Sequence, residues 1–137
     1  MWADICTVQL FQQNEKSQIK TLTKLATCAL NIRERAVAVG ALDEYHPNRA
    51  NGYMNLGVVV CREDPRKAIL LHRKALRIRK GSTKYAKVQI HGLALNYLNL
   101  GRCLWMIGEL EQAAACFERC LAILKDREDM LGVRFPL

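Results

Sequence analysis

The chain is poor in residues that interrupt regular structure. Among 137 residues there are three prolines and eight glycines, too few for a fibrous or loop-dominated architecture. Alternating β-branched runs are missing too. "GVVVC" at Gly57–Cys61 is the one β-like patch, so no sheet is expected. No stretch has the roughly 18 consecutive apolar residues of a membrane-spanning helix. The nearest, Gly92–Leu110, is interrupted by Asn96, Asn99, Arg102 and Glu109. The opening "MWADICTVQLFQQNEK" lacks the charged start and apolar run of a secretory signal. There is no phosphate-binding glycine loop, nucleophile elbow or paired-carboxylate motif. His46, His72 and His91 do not fall at ligand spacing from the cysteines. Hence no enzymatic activity, metal or cofactor is expected.

What is present favours helix. Half of the residues are hydrophobic, enough for one domain with its own core. Ala, Leu, Arg and Lys are abundant and are good helix formers. Cys6, Cys28, Cys61, Cys103, Cys116 and Cys120 are scattered through helical pattern, with no turn-rich loops to staple. That predicts reduced thiols at small packing positions in a cytoplasmic protein.

The formal net charge of +8 is unevenly placed. Arg62–Lys87 holds ten Lys/Arg against Glu63 and Asp64, a local +8, while the remainder has eleven basic and eleven acidic residues. The helix expected over 65–80 carries Arg66, Lys67, Arg73, Lys74, Arg77, Arg79 and Lys80. Such a field attracts nucleic acid or an acidic partner. A charge run is more often a solvated face, and no interleaved aromatics offer base stacking. Nucleic-acid binding is therefore disfavoured.

The chain repeats itself. "YMNLG" at Tyr53–Gly57 recurs as "YLNLG" at Tyr97–Gly101, 44 positions later. "CALNIRERA" (Cys28–Ala36), "KALRIRKGS" (Lys74–Ser82) and "RCLAILKDR" (Arg119–Arg127) share an "AL-x-I" ending, anchored at Ala29, Ala75 and Cys120. The unit is a helix carrying "NLG", a tight turn, and a second helix with the "AL-x-I" phrase. Asp64 and Pro65 read as N-cap and first helical position. Gly81 and Gly108 read as helix ends. His46–Pro47 breaks the chain before the first "NLG" helix. Six helices are expected, over 2–13, 16–38, 48–62, 65–80, 84–107 and 110–126, packed antiparallel. The end of the chain, 127–137, reads as an extended or frayed tail.

Gly costs about 1 kcal/mol against Ala in a helix interior, so Gly57 and Gly101 need a packing reason. They are expected to face small residues, with Ala68 and Ala113 at matching positions on the second helices. His72 and Phe117 follow four residues later.

These residues carry a resemblance. "ALNYLNLGRCLWMIGELEQAAACFERCLAIL" resembles a tetratricopeptide repeat through Tyr97, Leu100, Gly101, Gly108, Ala113, Phe117 and Cys120. The preceding unit departs from it: His72 replaces the aromatic, and one residue is missing at the Arg62–Asp64 turn. The spacing of 44 to 46 exceeds the ordinary repeat and is similar to the longer variety of kinesin light chains. The resemblance implies an all-α, right-handed stack of antiparallel helix pairs, an α-solenoid. It would be a single domain over 1–126. Residues 1–39 would form a degenerate or capping repeat, and 48–82 and 84–126 full repeats.

The resemblance also implies function. First helices of such stacks line a concave groove that holds peptides or partner proteins. The Asn before "LG" would bond a peptide backbone, which gives Asn55 and Asn99. Around them lie Met54, Leu98, Val58, Arg102, Arg62 and Met106, with Asn51 near the entrance. Arg62 and Arg102 suit an acidic peptide, because guanidinium binds carboxylate bidentately. The expected function is therefore a protein- or peptide-binding scaffold. The alternative is a structural or self-associating segment of a longer array. The final helix would leave Leu121 and Leu124 uncovered, a route to a homo-oligomer.

Overall fold

The structure is a computed structural model that describes residues 2–131, with side chains over 12–129. Five α-helices follow one another: α1 (Trp2–Ala38), α2 (Pro47–Val60), α3 (Pro65–Lys80), α4 (Ile90–Met106) and α5 (Leu110–Leu131). Each packs against its neighbours in the chain, and α2 and α4 also touch. The result is all-α, with helices added as adjacent pairs in a tetratricopeptide-like stack.

Five helices stand where six were expected, because α1 runs unbroken through 14 and 15. The expected break lies between 13 and 16, but neither Gly nor Pro occurs before Gly40, so nothing ends the helix. Gly40 does, with φ of 77° and the Ala41 amide donating back to the Ala36 carbonyl at 2.8 Å. At about 1.5 Å per residue α1 spans about 55 Å, so it outruns the 14-residue α2. Arg49 on α2 ties it down, bonding both carboxylate oxygens of Glu34 at 2.7 and 3.1 Å. The same guanidinium holds the Glu34 carboxyl below its usual range.

The other boundaries follow local chemistry. Pro65 opens α3 and Asp64 accepts from the Lys67 amide at 3.1 Å. His46 caps α2 through Nδ1, which accepts from the Asn48 amide at 3.1 Å. Gly108, at φ of 83°, ends α4, while Gly81 closes α3 in an ordinary right-handed conformation at φ of −73°. Residues 84–89 form turns instead of the expected first turns of α4. Ser82 Oγ accepts from the Lys84 amide, and the Gln89 side chain is drawn inward by Arg79. Residues 127–131 continue α5 instead of fraying, and 132–137 of the expected tail lie outside the described residues.

The glycine expectation needs a correction. Gly57 faces the ring of His72, and Gly101 faces the ring of Phe117. A β-carbon on either glycine would sit 2.7 Å from a ring carbon. Close helix approach is thus set by glycine against a flat ring, with Ala68 and Ala113 buried nearby in the same core. The two pairs also repeat a cation–π contact. Lys74 Nζ lies 4.8 Å from the Tyr53 ring centroid, and Arg119 Cζ lies 5.7 Å from that of Tyr97.

Candidate functional site

The cleft lies where α1, α2 and α4 converge. Its volume is about 340 Å³, and Val58, Arg62, Asn99, Arg102 and Met106 help line it. Those are five of the nine residues expected in the groove. The end of α2 and the face of α4 therefore contribute to one surface. Arg62 and Arg102 are both exposed, and Arg62 pairs with Glu15 of α1.

The other four expected residues lie elsewhere. Asn55 is exposed and Leu98 half-buried, neither of them in the cleft wall. Met54 is buried, with Sδ 3.8 Å from an Arg79 nitrogen. Asn51 Oδ1 accepts from Arg79 at 2.7 Å. Both therefore serve the interior, beneath the groove.

Arg79 organises that interior. It is only 5 % exposed, yet it was read as a solvated charge at the end of α3. Its guanidinium donates to Asn96 Oδ1 at 3.2 Å, Gln89 Oε1 at 3.3 Å and Asn51 Oδ1. Asn96 in turn donates to the His72 carbonyl at 3.0 Å. No carboxylate takes part, and burial lowers the Arg79 pKa from its ordinary value. Gly92 leaves room for the planar group, since a β-carbon there would lie 2.6 Å from it. A signal was available. The matching position is Leu124 in the next "AL-x-I" phrase but Arg33 in the one before, so the contrast with Leu124 is the whole of it.

The rest of α3's basic run is partly engaged. Lys74 and Lys80 lie over Tyr53 and Tyr97, and Arg73 donates to Gln112 at 3.2 Å. These partners are uncharged, so the positive charge of α3 remains in place.

Three groups in the cleft wall were not expected there. Glu15, Ile19 and Leu22 come from α1, whose path over the groove depends on its unbroken length. His72 is fully buried, with neither ring nitrogen bonded, and burial alone lowers its pKa to about 4. Cys61 and Cys103 face each other sulfur to sulfur, with Cα atoms 6.4 Å apart, a pair placed to form a disulfide. A bond between them would depart from the reduced thiols expected of the six cysteines. The partners are 42 residues apart and meet only because α2 and α4 lie side by side. The one sequence hint is that each cysteine adjoins a groove arginine, Arg62 or Arg102. Cys116 and Cys120 are free, and burial pushes both thiols up, as suits packing residues. The Cys6 side chain lies outside the described residues.

Among the described residues no group of His, Cys, Asp and Glu could hold a metal, and no helix is long and apolar enough to cross a membrane. A tetratricopeptide repeat model matches residues 97–131, which cover most of α4 and all of α5. No curated protein matches the chain, and neither does any solved structure.

Proposed function

We propose that the chain is a scaffold module that binds a protein or peptide in the cleft between α1, α2 and α4. One observation carries this reading: Arg62 and Arg102 line one cleft together with the apolar Val58 and Met106 and the amide of Asn99. That arrangement suits an extended acidic segment with an apolar side chain. Asn55, exposed on the same helix as Val58, extends the surface toward the helix start.

The tetratricopeptide match supports protein partners in general terms. We assign residues 48–82 and 84–126 as two repeats of the longer kinesin-light-chain-like variety, with 1–39 as a degenerate or capping repeat. The paired contacts Gly57–His72 and Gly101–Phe117, 44 and 45 residues apart, support that division. A cytoplasmic setting belongs to the same proposal and implies a Cys61–Cys103 bond open to reduction.

The test is a pull-down with wild type beside Asn55→Ala/Asn99→Ala and Arg62→Glu/Arg102→Glu. Loss of specific partners from both variants is expected. An unchanged partner set overturns the groove.

A second reading has its own observation. Leu76 and Arg79 of α3 are buried within the stack, while their counterparts on α5, Leu121 and Leu124, are 66 % and 38 % exposed. That face fits a further repeat or a second copy of the chain. Size-exclusion chromatography with light scattering decides it: a monomer at high concentration argues against self-association.

A further inference from the structure

We propose that Cys61–Cys103 is a thiol-exchange site in the wall of the cleft, opened by a small carboxylate-bearing thiol. Its state then sets how firmly α2 and α4 are held together. The site does not depend on which peptide the groove takes.

Placement supports exchange. Cys61 caps the end of α2 and is partly exposed, while Cys103 is 1 % exposed within α4. Both line the cleft together with Arg62 and Arg102. Glu15, the one carboxylate in the wall, pairs with Arg62, and Arg102 has no such partner among the described residues. An anionic thiol is therefore drawn in, and its thiolate is favoured by the guanidinium groups. Met106 completes the sulfur cluster, with Sδ 3.7 Å from Cys61 Sγ.

The chemistry balances without another reagent. A thiolate RS⁻ attacks the accessible Cys61 sulfur, forming RS–S–Cys61, and the Cys61–Cys103 bond breaks. Cys103 leaves as a thiolate and takes a proton from water. A second RS⁻ attacks the R sulfur of the mixed disulfide, releasing RSSR and the Cys61 thiolate. Two thiols are oxidised and one protein disulfide is reduced. Direct contact between α2 and α4 is confined to a small area, so this bond is their main covalent restraint across the groove.

Glutathione is the probe, used on the full chain with alkylation and peptide mass mapping. Untreated protein should yield a linked Cys61–Cys103 peptide. Treated with oxidised glutathione, whose disulfide supplies the oxidising equivalent and releases one glutathione thiolate, Cys103→Ser should accumulate a glutathione adduct at Cys61, and Cys61→Ser should give little at Cys103. Cysteamine, a cationic thiol, should open the bond about tenfold more slowly at low salt. Hydrogen exchange at residues 58–62 and 102–106 should rise on reduction of wild type. Absence of the linked peptide in folded wild type overturns the site, as does an adduct at Cys103 as fast as at Cys61. Equal rates with the two thiols overturn the steering, and an unchanged exchange profile overturns the restraint.

Discussion

Gly57 and His72 meet so closely that a β-carbon on the glycine would lie 2.7 Å from imidazole Cε1 and 2.8 Å from Nε2. The ring is fully buried. Gly57→Ala should therefore destabilise the fold by about 1–2 kcal/mol, the overpacking cost exceeding the helix propensity gained. Gly101→Ala should cost less, because Phe117 is half-buried and able to yield. Urea denaturation of both variants checks this. Adding His72→Ala to Gly57→Ala should remove the clash and make the two substitutions strongly non-additive.

Acid should weaken the fold through the same ring. Burial holds His72 neutral down to about pH 4, against an ordinary value of 6.5. Between those values the unfolded chain binds a proton that the folded chain refuses, so stability falls as pH falls. The loss should total about 3 kcal/mol and be absent above pH 7. His72→Phe, which copies Phe117, should flatten that slope. Urea midpoints at pH 7.5 and 5 would show it.

Arg79 links three segments through side-chain oxygens of Asn51, Gln89 and Asn96. Arg79→Leu should cost about 3 kcal/mol, since it strands buried polar groups. Arg79→Lys should recover less than half, because one ammonium cannot reach the three oxygens that separate guanidinium nitrogens contact. Thermal melts of the two variants provide the comparison.

Glu15 competes for the guanidinium that an acidic ligand would use. The pair is largely exposed, so Glu15→Gln should change stability by less than about 1 kcal/mol. It should nevertheless raise affinity for an acidic peptide a few-fold, read by fluorescence anisotropy. The gain should vanish in Arg62→Gln.

The helical stack was legible because its signals are local. Asp64–Pro65, His46–Pro47 and Gly108 mark element ends within one turn, and "NLG" marks the first helices. The cleft was half legible. Spacing put Val58, Arg62, Asn99, Arg102 and Met106 on one surface, but the roles of Asn51 and Met54 depend on Arg79, which belongs to another helix. Gly57 announced a close contact without naming the ring across from it. Cys61 and Cys103 were opaque, because only the tertiary arrangement of two parallel helices brings them together. The α1 wall was missed for a simpler reason: polar residues at 12–17 look like a loop, yet without Gly or Pro they stay helical.

The Arg79 network also bears on how portable each repeat is. The arginine sits at the end of α3, while two of its three amide partners, Gln89 and Asn96, belong to α4 and its N-cap. A cut between 82 and 84 would leave the guanidinium with Asn51 alone of its three amide partners. Grafting extra copies there would work only if the incoming first helix brought its own glutamine and asparagine. The sequence period and the module that can be moved are therefore out of phase.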